Sequence, residues 1–151
     1  MCVNWGDAKA FATWLSKKTR KTYRLLTEAE REYVTRAGST TRYSFGNDET
    51  PICRYANIAD QTAKRTIGNA ETWTFADCDD GYAYTVPVCK FAPNALGIHD
   101  VHGNVTEWTE DCAHEDYQGA PTDGSPCVSP GGSVRDRSES LGFRLARTLN
   151  P

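Results

Sequence analysis

The sequence predicts an α+β fold that is loop-rich, with two N-terminal helices and short antiparallel strands. Three observations predict it. Two segments near the N-terminus carry helical periodicity and capping signals. After residue 39 that periodicity is lost, and Gly, Pro, Asn, Asp and Thr become dense. The apolar pieces that remain are short: RYSFG, YAYTVPVC, NALGIHD and GFRLART.

The first helix is predicted over residues 6–18, GDAKAFATWLSKK. Phe11, Trp14, Leu15 and Lys18 recur at i, i+3, i+4, i+7 and give one apolar face. Asn4 or Asp7 caps or charges its start. The basic run SKKTRKTYR, 16–24, reads as a solvated helix end and turn in preference to a polyanion patch. The second helix is predicted over 27–38, TEAEREYVTRAG. Thr27 and Glu30 have capping-box spacing, and Gly38 suits a left-handed stop. These are structural signals, and a catalytic role for Glu28, Glu30 or Glu32 is the weaker reading. Beyond residue 39 lie short strands joined by turns, without internal repeats or low-complexity segments. LGIHDVHGNV, with a glycine near each end, reads as strand, turn, strand.

A chain of 151 residues suggests one domain with a real core. Net charge is −3, from 17 basic and 20 acidic residues, so nothing in the balance calls for nucleic acid or an anionic membrane. No apolar run approaches the roughly 20 residues that span a bilayer. MCVNWGDAKAFATWL lacks the basic start and apolar block of a signal peptide, so a cytoplasmic location is the default expectation. The six cysteines (2, 53, 78, 89, 112, 127) pull the other way. They form no zinc-finger pattern and read better as disulfides, which the cytosol disfavours.

The polar stretch NALGIHDVHGNVTEWTED, 94–111, invites a metal reading. His99 and His102 at i, i+3 could share a helical face and bind zinc, but the flanking glycines oppose a helix; His114 lies in another polar loop. A packed or surface histidine is the better reading of each. No GxSxG elbow is present, Cys89 has no base beside it in sequence, and Gly131-Gly132-Ser133 is too short to cradle phosphates. Oxygen ligation is better supported. DVHGNVTE supplies Asp100 and Glu107 around a glycine turn, and YANIADQ (55–61) with DCDDGYAY (77–84) supplies a second group of amides and carboxylates. Neither matches an EF-hand, and on spacing alone a solvated polar loop remains the commoner reading.

Five ordered blocks decide the resemblance: NWGDAKAFATWLSKKTRKTYRLLTEAEREYVTRAG, YANIADQ, DCDDGYAYTVPV, PNALGIHDVHGNVTEWTEDC and GFRLARTL. Together they resemble the sulfatase-modifying-factor family of formylglycine-generating enzymes over nearly the whole chain. The resemblance implies a variant of the C-type lectin fold with little regular structure and bound calcium. It implies a family activity in which oxygen and a copper-binding cysteine pair convert a sulfatase cysteine to formylglycine, so that a sulfatase-like protein or peptide is the implied partner. Relatives of the same family make sulfoxides in ergothioneine synthesis, act in pigment maturation, or have no assigned chemistry. Carried over by motif, one calcium site uses the Asn57 side chain, the Ile58 carbonyl, Asp80 and the Tyr82 carbonyl. A second uses Asp100, the Gly103 and Val105 carbonyls, and Glu107.

The departures are as informative. The family's catalytic cysteines follow a GGS strand, whereas here only VRDRSES separates Gly131-Gly132-Ser133 from LGFRLAR, and no cysteine lies after Cys127. Copper is therefore not expected in this chain, because thiolates are what select Cu(I). Thr106 stands where the resemblance places the first tryptophan of NVWEW, and Arg31 where EWEY has tryptophan. Residues 1–151 are expected to form a single domain of this type, N-terminally incomplete and with a deletion near 133–141. By position alone, Cys53 is expected to pair with Cys78 and Cys112 with Cys127, leaving Cys89 as a buried free thiol. Three functional readings stand: a calcium-stabilised member of doubtful catalysis, an active oxidase of the formylglycine type, and a lectin-like binding module for a protein or glycan. An exposed cluster of Trp73, Tyr82, Tyr84 and Tyr117 would favour the last.

Overall fold

A computed structural model describes residues 2–67, 72–111, 121–126 and 140–149. The chain divides into two compact units, Met1–Glu32 with Thr106–Pro151, and Tyr33–Val105.

In the first unit, helix α1 spans Trp5–Thr19. Asn4 and Asp7 act jointly at its start: the Asn4 side chain accepts the Asp7 N–H at 2.8 Å, and the Asp7 carboxylate accepts the Asn4 N–H at 3.0 Å. The helix stops where Arg20 turns left-handed, at φ 56°. Its buried stripe is Ala8 and Ala12, not the aromatic face expected from the periodicity. Phe11 and Trp14 are 43% and 50% exposed. Alanines are what bring the helix backbone close to its neighbour, β1 (Thr22–Leu25), where the Ser16 hydroxyl accepts the Tyr23 N–H at 2.8 Å. The aromatics border that contact, with Phe11 against Phe143 at 5.7 Å between ring centroids and the Lys18 ammonium over Trp14.

Strand β1 was not evident in the basic run. It pairs antiparallel with β4 (Leu145–Thr148), Leu25 facing Leu145 and Thr22 facing Thr148. Leu25 is fully buried, and Leu26 and Thr27 are nearly so. The second pair corrects the expectation of antiparallel strands throughout: β2 (Thr106–Trp108) runs parallel to β3 (Leu141–Phe143), Glu107 opposite Gly142. A parallel pair needs a long crossover, and residues 109–140 supply the length. Indole N–H groups fasten this end of the unit, Trp5 donating to the Thr109 carbonyl at 2.9 Å and Trp108 to that of Val3 at 3.3 Å. Lys9 pairs with Glu110, whose N–H donates to the Leu26 carbonyl.

Helix α2 spans Glu28–Arg36, its last residues falling in the second unit. The expected capping box is present: Glu30 accepts the Thr27 N–H at 3.0 Å and Thr27 accepts the Glu30 N–H at 3.2 Å. Its end uses two left-handed residues, Ala37 at φ 51° and Gly38 at φ 85°. Glu30 also takes a two-pronged bond from Arg24, at 2.5 and 2.6 Å.

The second unit holds a short 3₁₀ turn (Ile52–Arg54), helix α3 (Gln61–Thr66) and, among its described residues, one isolated bridge between Tyr43 and Gly46. YAYTVPVC, NALGIHD and LGIHDVHGNV form turns instead of the expected strands. Here side chains do what strand ladders do elsewhere. Asn104 brackets Val86, accepting its N–H and donating to its carbonyl, both at 3.0 Å. Asn94 accepts the N–H groups of Leu96 and Ile98 and donates to the Val34 carbonyl. Asp60, fully buried, accepts the Ala63 N–H at 2.9 Å to cap α3 and the Asp80 N–H at 2.5 Å. Phe45 stacks on Tyr43 and Tyr55, with His102 edge-on. A Cys53–Cys78 disulfide, as expected from position, closes 25 residues. In the chain-entropy account a loop of that length contributes about 3–4 kcal/mol.

The Arg24–Glu30 pair gives the first unit a defined acid response. The hydrogen bond from Arg24 is the main cause that holds the Glu30 carboxyl below the ordinary glutamate value of 4.5, with burial acting against it. A lowered folded-state value contributes stability above the unfolded value, and that stability is lost as pH falls through the folded one. Glu30→Gln is therefore expected to melt lower than the parent at pH 7, with the gap narrowing below about pH 4.5. Thermal melts of both proteins from pH 7 to pH 3 check this.

Candidate metal centre

The expected first ligand set lies within the second unit and comes together there. Asp80 precedes Gly81, whose φ of +86° turns the chain so that the Tyr82 N–H returns to Asp80 Oδ1 at 2.8 Å. The other carboxylate oxygen, Oδ2, accepts the Ile58 N–H at 2.9 Å and the Asn57 side-chain amide at 3.2 Å. The same amide nitrogen stands 3.4 Å from the Tyr82 carbonyl oxygen. So Asn57, Ile58, Asp80 and Tyr82 share one junction between the 55–61 and 77–84 loops. The neighbouring Asp79 is used differently: it is exposed and held by Thr62 and Arg65.

Electrostatics mark Asp80 out. Burial pushes its carboxyl above the ordinary aspartate range, and the nearby Asp60 charge adds to this, while the Ile58, Tyr82 and Asn57 hydrogen bonds act against it. No arginine or lysine stands among those influences. A cation there would remove the strain of the charged form. The donor set suits a hard one: a carboxylate, an amide oxygen after a turn of the Asn57 amide, and main-chain carbonyls. Among the described residues no three His, Cys, Asp or Glu side chains gather into a ligand cluster, so an ion at Asp80 would have to draw on amide and main-chain oxygens.

The second set divides. Asp100, Gly103 and Val105 belong to the second unit. Asp100 is buried at φ 58°, and its Oδ2 accepts the Cys89 N–H at 2.8 Å. Gly103 lies so near the Asn57 carbonyl that a Cβ would stand 2.2 Å from its oxygen, and the Asn104 N–H donates to that same oxygen at 2.8 Å. Only glycine permits this approach of the two loops. The Gly103 carbonyl accepts the Val105 N–H at 3.0 Å. Glu107 belongs to the first unit. Arg31 Nε reaches its Oε2 at 2.7 Å, Arg144 Nε reaches Oε2 at 3.2 Å, and Arg144 Nη2 reaches Oε1 at 2.9 Å. Held so, Glu107 does not fit a cation.

The histidines have structural partners, as their sequence context suggested. His99 Nδ1 donates to the Phe91 carbonyl at 2.7 Å, and His102 Nε2 accepts the Ser44 N–H at 3.2 Å beside the Ser44 hydroxyl at 2.8 Å. Cys89 corrects an expectation: its thiol is free but exposed. What is held there is the backbone, at φ 64° and bonded to Asp100, which leaves the side chain at the surface. Trp73 and Tyr84 are 50% and 68% exposed. Tyr117, His114, the expected Cys112–Cys127 pair and positions 133–139 lie outside the described residues.

Sequence reasoning missed Asp60, Asn94 and Asn104 as organisers of this region. The one local signal was at Asp60, a capping type followed by QTAKRT, but six residues show no clear helical period. It also missed the partners of Glu107, which come from Arg31 and Arg144, far apart in the chain.

Known proteins share this architecture. PvdO from Pseudomonas aeruginosa superposes with a TM-score of 0.81 at 38% identity, covering 99% of this chain and 61% of PvdO. The formylglycine-generating enzyme of Thermomonospora curvata is 37% identical over 162 residues, covering 98% of this chain and 49% of that enzyme. The inactive C-alpha-formylglycine-generating enzyme 2 of Bos taurus is 31% identical over 123 residues, 80% of this chain and 34% of that protein. The chain thus spans about half the length of the curated enzyme and three fifths of PvdO. Residues 1–149 match the sulfatase-modifying factor enzyme 1-like domain, and the chain belongs to that family.

Proposed function

We propose that this chain is a calcium-stabilised family member, built on the loop-rich C-type-lectin variant, that binds a sulfatase-like protein or peptide without oxidising it. One observation carries the proposal. Between Gly131-Gly132-Ser133 and Gly142-Phe143-Arg144 there is no cysteine, where the family resemblance places the copper-binding pair. Serine, aspartate and arginine side chains of that segment cannot replace thiolates as Cu(I) ligands. That an inactive relative is 31% identical supports the same reading. Exposed Trp73 and Tyr84 supply amphipathic side chains suited to a binding surface. The Cys53–Cys78 disulfide favours an oxidising compartment over the cytoplasm.

Calcium enters the proposal at Asn57, Ile58, Asp80 and Tyr82. Bound there, it would tie two loops of a unit poor in regular structure and neutralise the buried Asp80 carboxylate. The Cys53–Cys78 bond already fixes the bases of the same two loops, so less chain entropy opposes the ion.

Two measurements test this. With an immobilised chain, a cysteine-containing sulfatase-motif peptide and added copper, the expected outcome is retained peptide with oxygen uptake at the level of the blank. Aldehyde formation on the peptide would make the chain an oxidase, and no retention would remove the sulfatase-like partner. In thermal melts, saturating calcium is expected to raise the melting temperature by roughly 5–10 °C over chelator, as for a ligand at about 100 times its Kd. Asp80→Asn should abolish the response, and a parent protein indifferent to chelation would contradict the calcium assignment.

A further inference from the structure

The carboxylate of Glu107 is among the least accessible charged side chains of the first unit, 9% exposed. It sits on β2, opposite Gly142 of β3. Arg31 comes from α2, and Arg144 from the single residue between β3 and β4. Three N–H bonds at 2.7, 2.9 and 3.2 Å engage both of its oxygens. The two arginine side chains are themselves mostly covered, at 21% and 26% exposure. Two positive charges thus surround one negative charge in a place that water screens weakly.

We infer that guanidinium groups take, at Glu107, the charge-neutralising place of a divalent ion, so that Asp80 is the centre of calcium binding in this chain and Glu107 is not a ligand. The inference rests on the calcium reading proposed above for its Asp80 half; its Glu107 half stands on the ion cluster alone. A divalent ion at Glu107 would have to break charge-assisted bonds and then sit beside two like charges. The contrast with Asp80 is chemical. Among the described residues the Asp80 carboxylate is bonded by neutral N–H donors, and its own N–H is held by a further carboxylate, Asp60, so no cation in that set compensates its charge. The Glu107 charge is met directly by two guanidiniums. Arg31 is the decisive residue, because this chain places a cation at a position where the family resemblance gives an uncharged tryptophan. The cluster then does a structural ion's work: it joins α2, β2 and the β3–β4 junction through one carboxylate.

Calorimetric calcium titration of the full chain tests this with Glu107→Gln and Asp80→Asn. The expected result is calcium binding to Glu107→Gln with the parent's stoichiometry and an affinity within about twofold, and at least tenfold weaker binding to Asp80→Asn. Loss of an equivalent of calcium in Glu107→Gln would overturn the inference. If that variant does not fold, the anomalous map of a calcium-soaked parent crystal reads the same question, where an ion on Glu107 overturns it and an ion on Asp80 alone supports it. If the parent binds no calcium at all, the calcium reading fails by itself. The Glu107 half is then decided by melts in chelator of Arg31→Gln, Glu107→Gln and the double variant. A double variant no worse than Glu107→Gln supports the ion cluster, and additive losses overturn it.

Discussion

The second unit depends on one buried carboxylate. Asp60 is fully covered, and its two oxygens each hold a main-chain N–H, that of Ala63 inside α3 and that of Asp80 across the chain. Without it, the buried Ala63 N–H would be left unpaired at about 1–3 kcal/mol, and the part-buried Asp80 N–H would lose its partner as well. The two bonds set the rest. Capping α3 fixes where the 55–61 loop ends, and gripping the Asp80 N–H fixes where the 77–84 loop stands. The Asp80 side chain can then reach Ile58 and Asn57, and the Asn57 carbonyl can receive the Asn104 N–H under the bare Cα of Gly103. Among its described residues this unit has no named strand, and the α-helix that lies wholly within it has six residues; it is held in this way, from carboxylate to loop to loop.

The three acidic side chains in question show how neighbours decide what a carboxylate does. Asp60 is satisfied by main-chain donors and acts as a brace. Glu107 is enclosed by two arginines and acts as an ionic junction. Asp80 is partly desolvated, stands near another carboxylate, and among the described residues is bonded by neutral donors. Unlike Glu107, it has no arginine or lysine bonded to it among the described residues. The same residue chemistry therefore serves three purposes, and sequence spacing does not distinguish among them.

This explains how much could be read from the chain before its structure. Both N-terminal helices and the Thr27–Glu30 capping box were legible, because a box is written within four consecutive residues and its partners are fixed by spacing; at α1 Asn4 and Asp7 were legible as alternatives for the cap, not as the joint box they form. The meeting of the 55–61 and 77–84 loops at Asn57, Ile58, Asp80 and Tyr82 was also legible, through the loop residues that the family resemblance picks out. The four-residue β1 and six-residue α3 were not, since neither is long enough to show a period. The parallel pairing of β2 with β3 was hidden because alternation within a strand does not reveal the direction of its partner. On α1 the period was right and its meaning was not. Ala8 and Ala12 make the close contact, while Phe11 and Trp14 border it. Asn94 and Asn104 were visible as turn-forming residues, but their partners lie in segments that only folding brings near.

The most direct measurement of this account is residue-resolved amide hydrogen exchange on the parent and Asp60→Ala. If Asp60 is the brace on which the loops depend, protection should fall together at Ala63 and Asp80, which it holds directly, and at Ile58, Tyr82 and Asn104, which it does not touch. Loss confined to the Ala63 and Asp80 amides, with the other three unchanged, would show that the loops stand independently and would contradict it.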